Sequence, residues 1–309
     1  MIRRATLADL FAIEALARGA VAQMRAAGNP QWDETYPARE DFARDIARGE
    51  LYVVDDGGVG ACACINRDQA PEYASVPWSL NAPATVVHRM AVDRSRQGQG
   101  LAKALLAHAE TLARRESGYL RSDTYQANAA MNALFARMGY SLRGFVRFRG
   151  KPGRFNCYDK SLRRPLSADE RAALEGVRAG IEALYGWEGD IPRINYGPCG
   201  VFADLFFRAW NARLADKVHI CFVMTGDGGE CDHVCVRLPD GSLYDGGAGV
   251  HTEAAYPADF TVVDMWTYDR AELEKWSYGL ERSYPRHCPD FDREAVRAVI
   301  RRQLDAIPG

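Results

Sequence analysis

The order of hydrophobic and polar residues predicts alternating strands and helices in the first half of the chain. Apolar side chains recur at helical spacing over residues 10–24, after a short strand at residues 2–4, and Thr6 is placed to cap this helix. Residues 51–54 and 59–65 are apolar runs separated by Asp-Asp-Gly-Gly, which favours a β-hairpin. We therefore expect a helix with one buried face, followed by an antiparallel pair of strands.

This alternation continues to about residue 160. Residues 85–92 are rich in β-branched side chains and predict a strand, which leads through a glycine-rich turn into a helix that begins at Leu101. Three further elements are predicted: a strand at residues 119–125, a helix at residues 129–138, and a hairpin formed by residues 144–148 and 154–160. The order indicates an α/β fold with a mixed sheet.

The pattern changes near residue 164, where we place a domain boundary. Ser167 and Glu170 form a capping box for a new amphipathic helix. The elements predicted beyond it are a helix at residues 199–214, strands at 218–224, 233–238 and 242–244, a helix near Ala271 and another at 292–304. We therefore expect an α/β domain at residues 1–163 and a smaller α+β domain at residues 165–309.

Length and charge agree with this division and exclude several functions. At about 100 to 200 residues per domain, a chain of 309 residues favours two domains. The formal net charge is -2 and there is no basic run, which argues against a mainly electrostatic nucleic-acid or membrane partner. The first ten residues lack the apolar stretch of a signal peptide. We therefore expect a cytoplasmic protein whose eight cysteines are free thiols.

The glycine-rich turn points to a phosphate-binding function. A turn of this kind at a helix N-terminus offers free backbone N–H groups and the positive end of the helix dipole to a phosphate. The turn resembles the acetyl-CoA motif of the GNAT N-acetyltransferase superfamily, Gln/Arg-x-x-Gly-x-Gly/Ala, with Gln97, Gly100 and Ala102 at the motif positions. The resemblance covers about residues 1–160. It includes the Ile-Arg-x-Ala-Thr start, Asp123-Thr124-Tyr125 before Asn128, and Met138-Gly139-Tyr140.

The resemblance implies a GNAT-like acyltransferase fold, acetyl-CoA as cofactor, and transfer of the acetyl group to a primary amine by direct attack. The acceptor would be a small molecule or a peptide. The resemblance implies that the pyrophosphate of acetyl-CoA is bound by the backbone of Gln97, Gly98, Gln99, Gly100, Leu101, Ala102 and Lys103. It implies that the pantetheine arm is bound by the strand residues Met90, Ala91 and Val92 and by Asn128. Glycines allow the backbone to approach a diphosphate closely.

One departure from the family leaves the general acid open. Many members carry a tyrosine seven residues after the motif asparagine, whereas this chain has Phe135, which cannot donate a proton. Tyr125, Tyr140 and Tyr158 are possible substitutes, although the pattern favours a core or cross-strand packing role for each of them. His88, on the strand before the turn, is either the base that deprotonates the acceptor, a residue lining the acceptor pocket, or a structural histidine.

The acceptor side is expected in two polar, aromatic segments. Trp32 and Tyr36 lie in one loop and Tyr73 in another, where the acceptor-side loops of the family fall. Their aromatic faces and the neighbouring carboxylates suit a cationic amine. The alternative is a packed loop with surface acids.

A second candidate site centres on Cys199. This residue precedes an apolar helix, and a thiol at a helix N-terminus is stabilised as the thiolate, the usual setting of a nucleophilic cysteine. His233 and Asp245 follow in that order, each on or after a predicted strand. The order resembles the thiol fold of papain-like and transglutaminase-like enzymes. That resemblance implies Cys199 as the nucleophile, His233 as its base, and Asp245 as the residue that orients the imidazole.

The alternatives for the second domain are a main activity as an amidase or peptidase-like thiol hydrolase, a non-catalytic substrate-recognition module, or a buried cysteine without function. The segment Cys231-Asp232-His233-Val234-Cys235 alternates residue types that bind zinc. In an extended strand its two cysteines lie about 13 Å apart at about 3.3 Å per residue, too far for one zinc. We therefore predict no metal here, and the alternative is a site that pairs His233 with a cysteine from elsewhere in the chain.

Overall fold

The computed structural model describes residues 1–226, 228–277 and 290–308, and its contacts divide the chain into two units, Met1–Leu162 and Arg163–Gly309. Each unit has its own hydrophobic core. Cys288 lies outside the described residues.

A mixed sheet forms the centre of the first unit. Its seven strands are β1 (Ile2–Arg4), β2 (Leu51–Asp55), β3 (Val59–Asn66), β4 (Thr85–Val92), β5 (Tyr119–Tyr125), β6 (Ser141–Val146) and β7 (Phe155–Ser161). Their order in the sheet is β1-β2-β3-β4-β5-β7-β6. Only β4 and β5 run parallel, and every other pair is antiparallel. The one parallel pair lies at the centre of the sheet, where the predicted glycine-rich turn follows β4.

Helices cover both faces of this sheet. The helices of the first unit are α1 (Leu10–Ala26), α2 (Arg39–Ala47), α3 (Leu101–Arg114) and α4 (Ala129–Arg137). Leu105 and Leu106 of α3 pack with Phe135 of α4 against one face. Ile13 of α1 and Phe42 of α2 pack against strand residues in a separate cluster. Each helix places an apolar stripe on the sheet and a polar one in solvent, as its periodicity requires.

The predicted hairpin and the mixed sheet are confirmed, and three details differ. Thr6 caps a short 3-10 turn, Leu7–Asp9, and α1 begins only at Leu10. The strand β6 begins at residue 141 and ends at residue 146, earlier than the predicted 144–148. The helix α2 was not predicted, because its nine residues carry few apolar side chains besides Phe42.

The second unit is an α+β structure. Within its described part, the strands are β8 (Trp187–Glu188), β9 (Ile191–Pro192), β10 (His219–Met224), β11 (Cys231–Arg237), β12 (Leu243–Asp245), β13 (Gly249–His251) and β14 (Thr261–Met265). The helices there are α5 (Ala168–Tyr185), α6 (Cys199–Arg213), α7 (Arg270–Ser277) and α8 (Arg293–Leu304). The order β13-β12-β11-β10-β14 forms an antiparallel sheet, and β8 pairs with β9.

The core of the second unit lies between three helices and one face of its sheet. Side chains of α5, α6 and α8 pack with those of β10 and β11 around the fully buried Trp210. The capping box at Ser167 and Glu170 is present at the start of α5. The strand β14 was not predicted, although it pairs along five residues with β10. None of the helices in the described ranges is long and apolar enough to cross a membrane.

Candidate functional site

The turn between β4 and α3 has the conformation that a phosphate-binding loop requires. Gly98 and Gly100 have φ angles of +80° and +83°, in the left-handed region that favours glycine. A Cβ atom added at either residue would meet nothing within 4 Å, so the space above the turn is open. The helix α3 begins at Leu101, and its first N–H groups have no partners within the helix. Leu101, Ala102 and Lys103 therefore lie in the first helical turn, as the motif requires.

A β-bulge interrupts β4 beside this turn. His88 pairs with Cys64 and Ala91 with Cys62, so two residues of β4, Arg89 and Met90, oppose one residue of β3. Arg89 has a φ of +47°, an uncommon value for a residue with a side chain. Strain of this kind concentrates at functional sites.

From Val86 onward, just before the bulge, β4 and β5 separate. Within the fully described first unit, the two strands pair only at Thr85 with Leu120 and at Val86 with Arg121. The β5-facing edge of residues 88–92 therefore has no partner strand, and the two strands form an open cleft. Met90 lies on this open stretch.

The cleft opens into a cavity of about 520 Å³. His88, Met90 and Asn128 line it, and so do Trp32 and Tyr36 from the acceptor-side loop. The structure thus brings two of the three predicted acceptor residues and part of the predicted cofactor residues around one space. The turn residues 97–100 and the strand residues Ala91 and Val92 do not line this cavity.

His88 is held in one tautomer. Its Nε2 lies 2.9 Å from the backbone carbonyl of Asp68, which can only accept, so Nε2 carries the proton and Nδ1 is the basic nitrogen. Burial and the neighbouring Arg89 lower the pKa of His88. The imidazole is therefore neutral at neutral pH.

Arg89 organises the wall next to His88. Its guanidinium binds both carboxylate oxygens of Asp45, at 2.7 and 2.8 Å, and donates to the hydroxyl of Tyr36 at 3.3 Å. Asp45, Glu50 and Cys64 place one ligand atom each within 4.8 Å, in the geometry of a metal site. Because Asp45 is already neutralised by an arginine, this cluster is an ion-pair network and not a cation site.

The tyrosines considered as general acid lie away from the cavity. The hydroxyl of Tyr140 is buried in the core with no hydrogen-bond partner among the described residues, and burial raises its pKa. Tyr158 donates to Asn132 Oδ1 at 2.7 Å and stacks on Phe135. Tyr125 packs edge-on against the ring of Phe155. None of these three tyrosines lines the cavity, so the structure does not bring the predicted Tyr140 to the other site residues.

Tyr73 and Asn128 each contribute through one contact. The hydroxyl of Tyr73 donates to Asp123 Oδ2 at 2.6 Å, and Asp123 lines the cavity where Tyr73 does not. Asn128 caps α4, because its Oδ1 accepts from the backbone N–H of Met131 at 3.2 Å. Its amide nitrogen is left for a ligand in the cavity.

The second unit brings Cys199, His233 and Asp245 together. Cys199 is the first residue of α6 and is 7% exposed. His233 Nε2 lies 3.2 Å from Asp245 Oδ2, and the Cys199 side chain lies within hydrogen-bonding range of the imidazole. With Nε2 on the carboxylate, Nδ1 is the nitrogen left for the thiol. The three residues, which follow one another in this order along the chain, thus form one cluster in space.

The electrostatics of this cluster favour an imidazolium. Burial lowers the pKa of His233, but hydrogen bonds to Asp245 and Cys199 outweigh burial and raise it well above its ordinary value. Asp245 is fixed by three further donors: Asn195 Nδ2 at 2.8 Å and the backbone N–H groups of Gly247 and Ala248 at 2.8 and 2.6 Å. These contacts keep the pKa of Asp245 well below its usual range, although burial opposes them. An ionised carboxylate next to a charged imidazole is the arrangement that stabilises a thiolate.

Three residues near the two sites were not predicted. Asn195 binds Asp245 from a 3-10 turn, Arg193–Asn195, just before Cys199. Tyr256 contacts His251 at 2.9 Å and lies close to His233. Asp123 belongs to the Asp-Thr-Tyr segment before Asn128, which predicts no role for its carboxylate, and it lines the cavity. The partners of Asn195 and Asp123 lie 50 residues away in the sequence, so only the fold could reveal these two contacts.

The comparisons with known proteins concern the first unit. The family described as Acetyltransferase (GNAT) matches residues 18–140. The match lies within the first unit and leaves the second unit outside it. No curated protein is similar enough to this chain to count as a relative.

Solved structures show likeness to about half of the chain. A GNAT family acetyltransferase from Streptococcus agalactiae is 27% identical, over 52% of this chain and 94% of its own, with a TM-score of 0.47. One from Listeria monocytogenes is 23% identical, over 52% and 94%, with a TM-score of 0.42. The ribosomal-protein-S18-alanine N-acetyltransferase from Escherichia coli is 19% identical, over 54% and 97%, with a TM-score of 0.37. Since these scores lie below 0.5, the assignment depends on the family match.

The first unit therefore contains a GNAT acetyltransferase domain, and its cofactor is acetyl-CoA. The residues present fit this cofactor. The open space above Gly98 and Gly100 is accessible to a diphosphate, and the unpaired edge of β4 offers backbone groups to an amide-containing arm.

Proposed function

We propose that the first unit transfers the acetyl group of acetyl-CoA to a primary amine, by direct attack of the amine on the thioester. The observation that carries this proposal is the cleft between β4 and β5, which opens at the bulge of Arg89 into a cavity of about 520 Å³. A cleft of this form would hold acetyl-CoA so that its thioester carbonyl faces an acceptor that enters from the cavity.

The chain's own residues divide the binding task. The backbone from residue 97 to residue 103 would hold the diphosphate, residues 90–92 would pair with the arm, and the free amide of Asn128 would donate to it. When bound, acetyl-CoA supplies an activated acetyl thioester. Trp32 and Tyr36 line the acceptor side, and the neutral His88 offers Nδ1 there as a proton acceptor or as part of the pocket wall.

A panel of acceptors tests this proposal. Incubated with acetyl-CoA, the protein is expected to acetylate at least one member of a panel of alkylamines, polyamines, amino acids and peptide N-termini, detected as an N-acetyl product by mass spectrometry. Alcohols of the same size should give no product, because a hydroxyl is a weaker nucleophile. Absence of product from every amine would contradict amine acetylation.

A second candidate function is favoured by the cluster in the second unit. We propose that Cys199 is the nucleophile of a thiol hydrolase that acts on an amide bond, in a papain-like or transglutaminase-like fold. The support is the hydrogen-bonded order of Cys199, His233 and Asp245, with Asp245 held by Asn195 and two backbone N–H groups. Four donors on one carboxylate fix the imidazole in a single orientation.

The expected reaction has two steps. The Cys199 sulfur forms a bond to the acyl carbon, the bond from that carbon to the amine breaks, and the protonated His233 gives its proton to the leaving amine. Water then attacks the thioester, His233 takes a proton from it, and the acid leaves as Cys199 is regenerated. Both proposed reactions are therefore acyl transfers. The first unit would transfer the acyl group directly to the acceptor, and the second would form a thioester on Cys199 before hydrolysis.

Asp245→Asn is expected to make the reactivity of Cys199 more dependent on pH. Asp245 raises the pKa of His233, so its loss lowers that pKa and reduces the fraction of imidazolium beside Cys199 in mildly acidic solution. Alkylation of Cys199 by iodoacetamide should therefore fall at least about tenfold at pH 6, while the two proteins should react at similar rates at pH 9, where a thiol with an ordinary pKa of about 8.5 is largely ionised without an imidazolium. Peptide-resolved mass spectrometry measures the rates. An unchanged profile would mean that Asp245 does not tune this pair.

A further inference from the structure

A groove of about 770 Å³ lies between α6 and α8 in the second unit. Its lining comes from one face of each helix, because the residues recur at spacings of three and four along the chain. They are Leu205, Arg208, Ala209, Ala212 and Arg213 of α6, Arg297, Arg301 and Leu304 of α8, and Asp305 directly after it. The first and last of these positions are eight residues apart on each helix, which is about 12 Å at 1.5 Å per residue. The groove therefore runs along about two helical turns.

The floor of the groove is apolar and its top is open. Leu205 and Leu304 are buried and belong to the core of the second unit. Ala209 and Ala212 lie one turn apart on α6, and their short side chains leave space above them. Arg208 and Ala212 are exposed, so the groove does not enclose its contents. Small-molecule sites bury most of the ligand surface, so an open groove with an apolar floor is better suited to an amphipathic peptide segment.

The rim of the groove is positively charged. Four arginines line it, against the single carboxylate of Asp305. Arg213 binds the end of α8, because its Nε donates to the carbonyl oxygen of Leu304 at 2.7 Å and its Nη2 to that of Asp305 at 3.1 Å. A cation at this position also stabilises the negative end of the helix dipole. Arg213 is therefore a structural residue that closes one end of the groove.

Two arginines of α8 keep hydrogen-bond donors for a ligand. Among the described residues, Arg297 pairs only with Glu294, through Nη1, and the Glu294 side chain is itself 77% exposed. Arg301 lies one turn further along α8, is exposed, and has no ion pair or hydrogen bond with a described residue. Side chains four residues apart on a helix are neighbours. The two guanidinium groups therefore form one positive edge of the groove.

Arg208 supplies a third guanidinium, from α6. It donates from Nε to Asp204 at 2.8 Å and from Nη2 to the hydroxyl of Tyr268 at 2.6 Å, which fixes its position and leaves Nη1 for a ligand. Asp204 and Glu294, the carboxylates that pair with the rim, lie outside the lining. A guanidinium binds carboxylates through a planar set of donors. The rim is therefore complementary to acidic side chains.

We propose that this groove binds an acidic amphipathic helix of a partner protein. Apolar side chains of that helix, three, four and seven residues apart, would lie on the floor along its two turns. Glutamate or aspartate side chains beside them would pair with Arg208, Arg297 and Arg301. The groove belongs to neither proposed catalytic site, and this interaction does not depend on either reaction.

Binding of a designed peptide to the full chain tests the proposal. The probe is a fluorescein-labelled peptide of about 14 residues, with leucines spaced three and four residues apart and glutamates on both sides of them. We expect saturable binding by fluorescence anisotropy, weakened at least about tenfold when salt rises from about 50 to about 500 mM, because the rim charges are exposed. The same peptide with lysine in place of glutamate should not bind. Lack of saturation by about 1 mM of the glutamate peptide would overturn the proposal.

Arg297→Gln combined with Arg301→Gln locates the binding site. The double variant removes the positive edge on α8 and should weaken binding of the glutamate peptide at least about tenfold. Arg302→Gln is the matched control, because Arg302 is an exposed residue of the same helix that does not line the groove. Its affinity should stay within about twofold of wild type. An equal loss per arginine in Arg302→Gln would indicate general attraction to α8 and overturn the assignment to the groove.

Ala212→Glu tests the floor and distinguishes the occupant. This exposed position tolerates a larger side chain, but a carboxylate there would fill the groove and repel an acidic helix, so binding should weaken at least about tenfold. Ala172→Glu adds the same side chain at an exposed position of α5 and should bind normally. Wild-type affinity in Ala212→Glu would overturn the proposal. A single-stranded RNA that binds more tightly than the peptide, and loses affinity in the same arginine variants, would assign the groove to nucleic acid instead.

Discussion

Cys199→Ala is expected to abolish the rapid alkylation of this protein by iodoacetamide at pH 6. A cysteine with an ordinary pKa of about 8.5 is roughly 0.3% thiolate at that pH, so a thiolate paired with an imidazolium should react about 100-fold faster. His233 supplies the imidazolium, because Asp245 and Cys199 raise its pKa well above the ordinary value. The measurement is the rate of label incorporation, resolved by peptide.

Two buried cysteines provide matched controls. Burial raises the pKa of both Cys62 and Cys157 to about 12, and both lie in the core of the first unit. Cys62→Ala and Cys157→Ala should therefore leave the rapid phase intact. If Cys199 in the wild-type protein reacts no faster than these two, the hydrolase proposal fails and a substrate-recognition role for the second unit gains support. Acetyl transfer should be unaffected by Cys199→Ala, because direct attack requires no acyl-enzyme.

The elements that were predicted carry local signals. The hairpin of β2 and β3 follows from Asp55-Asp56-Gly57-Gly58, and α5 from its capping box. The helix α2 and the strand β14 lack such signals: α2 is mostly charged, and β14 is a short edge strand fixed by its pairing with β10. Whether these two segments form a helix and a strand depends on tertiary contacts, and the periodicity of a single sequence carries no information about those contacts.

The same distinction applies to the sites. Cys199 could be selected because a helix start is visible in the sequence, and its partners because they follow on neighbouring strands. The hydrogen bond of Asp123 could not be predicted, since its partner Tyr73 lies 50 residues away in the sequence. Tyr140 was selected for its chemistry, but its burial in the core separates it from the cavity. Residue types indicate what chemistry a side chain can perform, whereas the residues that it contacts are known only from the fold.

Gly100→Glu is expected to weaken acetyl-CoA binding at least about 1000-fold. A carboxylate about 4 Å from a diphosphate costs about 4 kcal/mol at an effective dielectric constant near 20, and each 1.4 kcal/mol is a factor of ten in Kd. The added side chain would also occupy the open space above the turn. Isothermal titration calorimetry with acetyl-CoA measures the change.

The backbone strain of this substitution needs its own control. Gly100 has a φ of +83°, and a residue with a Cβ pays about 1 to 2 kcal/mol in that region. Gly57→Glu places the same side chain at a φ of +68° in the turn between β2 and β3, where an added Cβ also meets nothing. It should bind acetyl-CoA with wild-type affinity, and Gly100→Ala should lose only a few-fold, because it adds strain without charge. Equal losses in Gly100→Ala and Gly100→Glu would assign the effect to conformation, whereas unchanged affinity in Gly100→Glu would remove the turn from the binding site.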